Sequence, residues 1–198
     1  MTVVEINPGY LEVVAKHPEV SGLLANPKVT LTVDDGRRWL RRHPERRFDV
    51  IVMNTTLHWR GHATNILSAE FMEIARQHLL PGGIFYFNTT DSLDVQLTAA
   101  HVFPHVLRIT NFIAAGDGPF KFDRDRWRWL LETMHVEGKP VLDLARESDK
   151  RVYDDLLGFN DIAPRSAILD YYAKIASDVT DDNMRTEWRE PLRYPKLQ

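Results

Sequence analysis

The chain has 198 residues, 43% of them hydrophobic, which is long enough to bury one core of its own. A formal net charge of -3 excludes an overall basic surface of the kind that binds nucleic acid, and the absence of cysteine excludes disulfides. No apolar run reaches the roughly 20 residues that a membrane-spanning helix needs. We therefore expect a cytoplasmic protein with no nucleic-acid or membrane partner within this chain.

Strands and helices alternate from the first residues onward. Residues 2–6 are a β-branched strand, and Asn7 followed by Pro8 is typical of the start of a helix. A second strand is predicted over residues 29–33, where apolar residues alternate with threonine. A short helix over residues 37–42 follows it.

The next strand, over residues 48–53, has the strongest signal in the chain. Its continuous apolar character is typical of a central parallel strand that is buried on both faces. Ser68 can cap the helix that follows, and residues 84–87 are another buried strand. This alternation predicts an α/β fold with a Rossmann-like parallel sheet and helices on both faces.

Beyond residue 90 the pattern is weaker. We predict a helix over 93–102, a closing antiparallel pair over 106–110 and 112–115, and a helix over 124–134 with Trp127 facing inward. The predicted organisation has two parts: a nucleoside-binding domain over residues 1–135 and a mostly helical appendage over residues 136–198.

Candidate site residues follow three of the predicted strands, because ligands of open parallel sheets bind beyond the carboxyl ends of the strands. Glu5 could accept hydrogen bonds from both ribose hydroxyls. In Asp34-Asp35-Gly36, a carboxylate could accept the adenine amino group while the Gly36 N–H donates to a ring nitrogen. Asn54-Thr55-Thr56 places polar groups where a substrate would react. Each segment also has a structural interpretation, as a helix-dipole partner, a helix cap or a turn.

Three other polar groups need an interpretation. Residues 57–65 form a predicted loop over the mouth of the site, where His58 or Trp59 could contact a substrate. His58 and His62 lack a third ligand, so no metal site is predicted. We interpret the arginines between residues 37 and 47 as a solvated helix face, and residues 181–183 as a helix cap.

The three strand ends, in this order and spacing, resemble the spermidine synthase family of polyamine aminopropyltransferases, a branch of the class I methyltransferase-like fold. The matching segments are VVEINP, VDDGRRWLRR, FDVIVMNTT and LSAEFMEIARQHLLPGGIFYFN. Two later segments, FIAAGDGPFKFDRDRW and VTDDNMRTEW, resemble the later parts of bacterial members of the family.

The resemblance implies aminopropyl transfer from decarboxylated S-adenosylmethionine to a polyamine. By that resemblance Glu5 holds the ribose, Asp35 and Gly36 hold the adenine, and Asn54 stands in the place of the catalytic aspartate. The residues expected on the substrate side are Thr55, His58 and Trp59. No tightly bound cofactor is implied; the possible ligands are decarboxylated S-adenosylmethionine, S-adenosylmethionine and methylthioadenosine.

Two departures from the family pattern bear on activity. The family pattern Asp-Ser-x-Asp reads Asn54-Thr55-Thr56-Leu57 here, so both carboxylates are missing. One carboxylate–ammonium contact near 4 Å is worth roughly 1–4 kcal/mol, so polyamine binding and the chemical step should both be impaired. The glycine-rich loop and the first βα unit of the family are also absent.

Several interpretations remain open. The chain is either a fragment of a longer protein or a short form that fills the gap by dimerising. Its function is spermidine synthase-like transfer, nucleoside binding or protein interaction without catalysis, or methyl transfer to a small molecule that is already nucleophilic.

We predict a homo-oligomer, because a sheet without its central strand exposes unpaired edges and apolar surface. Light scattering measures the mass directly. A stable, well-folded monomer would contradict this prediction.

Overall fold

A computed structural model of the chain describes residues 1–54 and 63–184. These residues form a two-stranded parallel sheet, a five-stranded mixed sheet, a short hairpin, and the helices that connect and cover them. In the described parts of the chain, no helix is both long enough and apolar enough to cross a membrane.

The first unit is a parallel strand pair with a helical crossover. Strand β1 (Thr2–Glu5) pairs with β2 (Thr30–Val33), and helices α1 (Pro8–Ala15) and α2 (Pro18–Ala25) connect them. The predicted helix start is confirmed: the Asn7 Oδ1 accepts a hydrogen bond from the Gly9 N–H at 3.0 Å, and Pro8 follows the cap. This pairing places the ends of β1 and β2 side by side.

Helix α3 (Gly36–Arg42) leads from β2 to the larger sheet. That sheet begins with β3 (Phe48–Met53), which pairs in parallel with β4 (Leu79–Asn88). Helix α4 (Ala69–Gln77) connects them, and the Ser68 Oγ accepts from the Phe71 N–H, as predicted for a helix cap.

The sheet closes with antiparallel strands. Strands β5 (His105–Ile109) and β6 (Phe112–Gly116) form the predicted antiparallel pair, and β6 lies beside β4. A short strand, β9 (Ile162–Pro164), pairs with the far edge of β5. The strand order is β3-β4-β6-β5-β9.

The prediction that residues 48–53 form a central, doubly buried strand is wrong. Among the described residues β3 lies at the end of its sheet, and the Val50 and Val52 residues are 55% and 67% exposed. The physical reason is that Val50 and Val52 line a groove that β1 also lines, and within residues 1–54 and 63–184 no strand pairs with that edge of β3. The two sheets are consequently separate.

The core lies beneath β4. Phe85 and Phe87 are fully buried, and their rings stack with centroids 4.4 Å apart. Helix α5 (Leu93–Val102) covers them and has seven of its ten residues buried. Helix α8 (Arg165–Tyr172) packs on α5, with Ile168 buried between elements of the core.

The remaining elements are less enclosed. Helices α6 (Arg124–Thr133) and α7 (Glu147–Gly158) contact each other, and the hairpin of β7 (His135–Val136) and β8 (Lys139–Pro140) lies between them in the chain. Trp127 is half-buried rather than a core residue, and its indole N–H donates to the Leu156 carbonyl at 3.2 Å. The division of the chain at residue 135 stays a prediction.

Two glycines allow β4 and β6 to approach closely. A Cβ atom on Gly116 would lie 2.6 Å from the Gly83 carbonyl oxygen, well inside van der Waals contact. Gly83 itself has backbone carbonyls 2.9 Å from the position of a Cβ. Glycine is therefore required by space at positions 83 and 116 of this sheet.

We expect Gly116→Ala to lower the free energy of unfolding by about 1–3 kcal/mol, because the backbone of β4 must move to admit the methyl group. Gly22→Ala is the control: Gly22 lies within α2 and nothing lies within 4 Å of its Cβ position. That change should raise the free energy of unfolding by about 0.5–1 kcal/mol. Urea unfolding measures both values, and equal effects of the two changes would contradict the prediction.

Candidate functional site

A groove of about 540 Å³ is lined by residues of β1, α3 and β3. Its lining includes Thr2 and Glu5 at the two ends of β1, and Phe48 and Met53 at the two ends of β3, so it extends along both strands. The side chains between these ends are mostly apolar. Polar groups lie at the carboxyl ends of the strands, which is where ligands of open parallel sheets bind.

The structure brings four of the sequence-predicted site residues to this groove. They are Glu5, Asp35, Gly36 and Asn54. They follow three different strands and are separated by up to 49 positions in the chain, from Glu5 to Asn54. The predicted substrate-side residues Thr55, His58 and Trp59 lie outside the residues that the structure describes.

Glu5 ends β1 and is half-buried. Its Oε1 accepts a hydrogen bond from the Asn7 N–H at 2.8 Å, which fixes the carboxylate at the strand end. The Glu5 carboxylate therefore fits both interpretations: it binds a backbone N–H at the start of a helix, and it is placed to accept hydrogen bonds from a ribose.

The two adjacent aspartates differ in their partners. The Asp34 carboxylate forms ion pairs with Arg38 and, at 3.6 Å, with Arg42. Burial acts to raise the pKa of Asp34, but hydrogen bonds from Arg38 and from the Asp35 N–H, together with these cations, hold it below its ordinary value. Asp34 is thus paired with the arginines, and Asp35 is the carboxylate that lines the groove.

Asp35 is also the cap of α3. Its Oδ1 accepts a hydrogen bond from the Arg38 N–H at 2.7 Å, as the structural interpretation of this turn requires. Gly36 is the first helical residue, and no atom lies within 4 Å of a Cβ built on it. The backbone at Gly36 is therefore open to a ligand in the groove.

Three asparagines link the ends of neighbouring strands. The Asn88 Nδ2 donates to the Asn54 Oδ1 at 3.1 Å, and the Asn88 Oδ1 accepts from the Asn111 Nδ2 at 3.0 Å. The linked side chains are amides, so this chain of hydrogen bonds contains no proton acceptor of carboxylate strength. Asn88 ends the apolar strand β4, so the signal that identifies Asn54, a polar residue at the end of an apolar strand, identifies Asn88 as well.

The turn after β4 has an unusual backbone. Thr90 and Asp91 have φ values of 55° and 62°, in the left-handed region that a β-branched residue such as Thr90 rarely adopts. The Asn88 Oδ1 stabilises the turn by accepting from the Thr90 N–H at 2.8 Å. Strained turns of this kind concentrate at functional sites, and this one lies beside the Asn54–Asn88 pair.

Arg37 and Asp181 form an ion pair that the sequence analysis missed. Arg37 is only 8% exposed and donates to both Asp181 oxygens, at 2.7 and 2.5 Å. The hydrogen bond from Arg37 is the main cause that lowers the pKa of Asp181, and it correspondingly raises the pKa of Arg37. The interpretation of Arg37 as part of a solvated face is wrong, because the Asp181 carboxylate compensates its burial.

Comparison with known proteins identifies the fold. A tRNA (guanine-N(7)-)-methyltransferase of Geobacter metallireducens is 30% identical over 134 residues, covering 66% of this chain and 58% of that protein. A probable spermidine synthase from Corynebacterium glutamicum matches with a TM-score of 0.52 and 15% identity, covering 89% of this chain and 62% of that chain. Human methyltransferase-like protein 13 in complex with SAH matches with a TM-score of 0.46, at 17% identity over 79% of this chain and 68% of that one. No family model matches.

The matches to the tRNA methyltransferase and to the spermidine synthase agree with the architecture described above: the chain has the α/β, Rossmann-like class I methyltransferase-like fold. The chain spans 58% of the length of the tRNA methyltransferase and 62% of the spermidine synthase. In the part of the chain that is described, no group of three or more histidine, aspartate and glutamate side chains could hold a metal ion.

Proposed function

We propose that the groove binds the adenosine part of an S-adenosylmethionine-derived nucleoside, and that the chain is the nucleoside-binding part of a group-transferring enzyme. The observation that supports this most directly is that Glu5, Asp35, Gly36 and Asn54, predicted from sequence as one site, line one groove. Ribose hydroxyls donate to the Glu5 carboxylate. The adenine amino group donates to Asp35, and the Gly36 N–H donates to a ring nitrogen.

The first candidate reaction is aminopropyl transfer to a polyamine, on the family resemblance of these residues. A neutral amine nitrogen attacks the methylene carbon beside the sulfonium, the carbon–sulfur bond breaks, methylthioadenosine leaves, and the nitrogen loses a proton. By the family resemblance, Asn54, directly after β3, stands where the proton-accepting aspartate would be. Its amide orients an amine but is a poor base, so this reaction is slow in the chain as it stands.

The second candidate is methyl transfer, which two observations favour. The tRNA (guanine-N(7)-)-methyltransferase is 30% identical over 134 residues, which is 66% of this chain. Asn54 is hydrogen-bonded to a second amide, Asn88, and methyl transfer to an acceptor that is already nucleophilic needs no carboxylate there. The acceptor attacks the methyl carbon, and S-adenosylhomocysteine leaves.

Nucleoside binding tests the part that both candidates share. We expect methylthioadenosine and S-adenosylmethionine to bind, as measured by calorimetry and thermal shift at millimolar ligand. Glu5→Gln should weaken binding about tenfold, because a hydrogen bond to a charged acceptor is worth about 1.5–3 kcal/mol. Glu12→Gln is the matched control, since Glu12 is exposed on α1 and does not line the groove. Absence of any heat and any thermal shift in the wild type contradicts the proposal.

Asn54→Asp tests the choice between the two reactions. A carboxylate at this position should raise the rate of aminopropyl transfer from decarboxylated S-adenosylmethionine to 1,4-diaminobutane about tenfold or more, because one carboxylate–ammonium contact is worth about 1–4 kcal/mol. Asn54→Ala, which removes the amide and adds no charge, is the control. Formation of methylthioadenosine is the measurement, and equal rates for all three proteins contradict the aminopropyl candidate.

A further inference from the structure

The carboxylate of Asp181, near the far end of the described chain, binds Arg37, which lines the candidate site. Asp181 lies 144 positions after Arg37, and its two oxygens receive both terminal nitrogens of that guanidinium. The Ser68 Oγ donates to the same carboxylate at 2.6 Å. A bidentate pair of this kind fixes direction as well as distance, because the guanidinium and the carboxylate are both planar.

Asp181 itself is held by a segment that we call the C-terminal strap, residues 177–183. The strap backbone is bound to α5: the Ser177 N–H donates to Asp94 at 2.8 Å, and the Val179 N–H donates to Thr98 at 2.9 Å. The Val179 side chain is fully buried in the core. The Asp181 N–H donates to Glu70 at the start of α4. Because the strap is fixed to other elements, it sets the position of Arg37 rather than following it.

Arg37 links the fixed position of Asp181 to the groove. It is the second residue of α3, directly after Gly36 and two positions after Asp35, and it lines the groove beside them. Its Nη1 also donates to the Asn65 carbonyl at 2.6 Å. The Asp181 carboxylate thereby determines the position of the first turn of α3.

We propose that Asp181 and Arg37 are positioning residues for the nucleoside: the strap holds the first turn of α3 so that Asp35 and the Gly36 N–H face the adenine. This inference rests on the proposed nucleoside binding. Asp181 does not line the groove, so its effect on the nucleoside is exerted through Arg37. The effect is on affinity, because a displaced first turn presents the two adenine-binding groups at the wrong distance.

A simple truncation cannot separate positioning from stability, since removing one partner leaves a buried charge without compensation. Replacing both partners by apolar residues of similar size removes the constraint without leaving that charge. The double variant Arg37→Met/Asp181→Leu is therefore the test. The matched control is Arg108→Met/Asp161→Leu, which removes a second Arg–Asp pair, 2.5 Å long, whose residues do not line the groove.

We expect both double variants to melt within about 4 °C of the wild type. Arg37→Met/Asp181→Leu should bind methylthioadenosine at least about tenfold more weakly, because small misplacements of binding groups have large effects. The control pair should bind with wild-type affinity. Wild-type affinity in a folded Arg37→Met/Asp181→Leu protein overturns the inference, as does an equal loss in both double variants.

If the double variant does not fold, Asp181→Asn replaces it: the amide keeps the shape of the side chain but leaves the Arg37 charge without its carboxylate, so the melting temperature is measured together with binding and affinity is compared only where the protein is folded. Asp182→Asn is its control, since Asp182 is the exposed neighbour. Weaker binding by Asp181→Asn alone supports the positioning role, and equal binding by both overturns it. If the wild-type protein itself does not bind methylthioadenosine, the proposed function has failed. That result is distinct from the test of the positioning role, which compares variants of a protein that binds.

Discussion

Two strands that are consecutive in the chain can pair in parallel only after a crossover, and both parallel pairs among the described residues use helices for it. The first crossover places the carboxyl ends of β1 and β2 side by side, and α3 then leads to β3, so that residues at or after the ends of β1, β2 and β3 line one groove. The candidate site depends on this direction of the strands before it depends on any particular side chain. Glu5, Asp35 and Asn54 are candidate site residues because the strands place them together.

Much of the sheet could be predicted from local sequence, because the relevant signals are local. The helix starts at Asn7 and Ser68, and the antiparallel closing strands, are each determined by a few neighbouring residues. The position of β3 could not be predicted in this way. The apolar sequence of Phe48–Met53 indicates that its side chains favour burial. Whether a strand lies on each side of it depends on the whole sheet.

The contacts that complete the site also could not be predicted from neighbouring residues in the sequence. Arg37 has the same surroundings in the sequence as the solvated arginines around it, and only a carboxylate 144 positions away distinguishes it. The polar residues of α5 are similar. Asp94 and Thr98 are buried because they accept backbone N–H groups of the strap, and an irregular segment of that kind has no periodic pattern in the sequence.

The separation between Arg37 and Asp181 has a consequence for biosynthesis. Ribosomes add about 5–20 residues per second, so roughly 7–30 s pass between the synthesis of the arginine and that of its carboxylate partner. During that interval the strands β1 to β4 can form while the guanidinium still faces water. The first turn of α3 reaches its final position only when the strap docks on α5. In the order of folding, the end of the groove at Asp35 and Gly36 is therefore completed last.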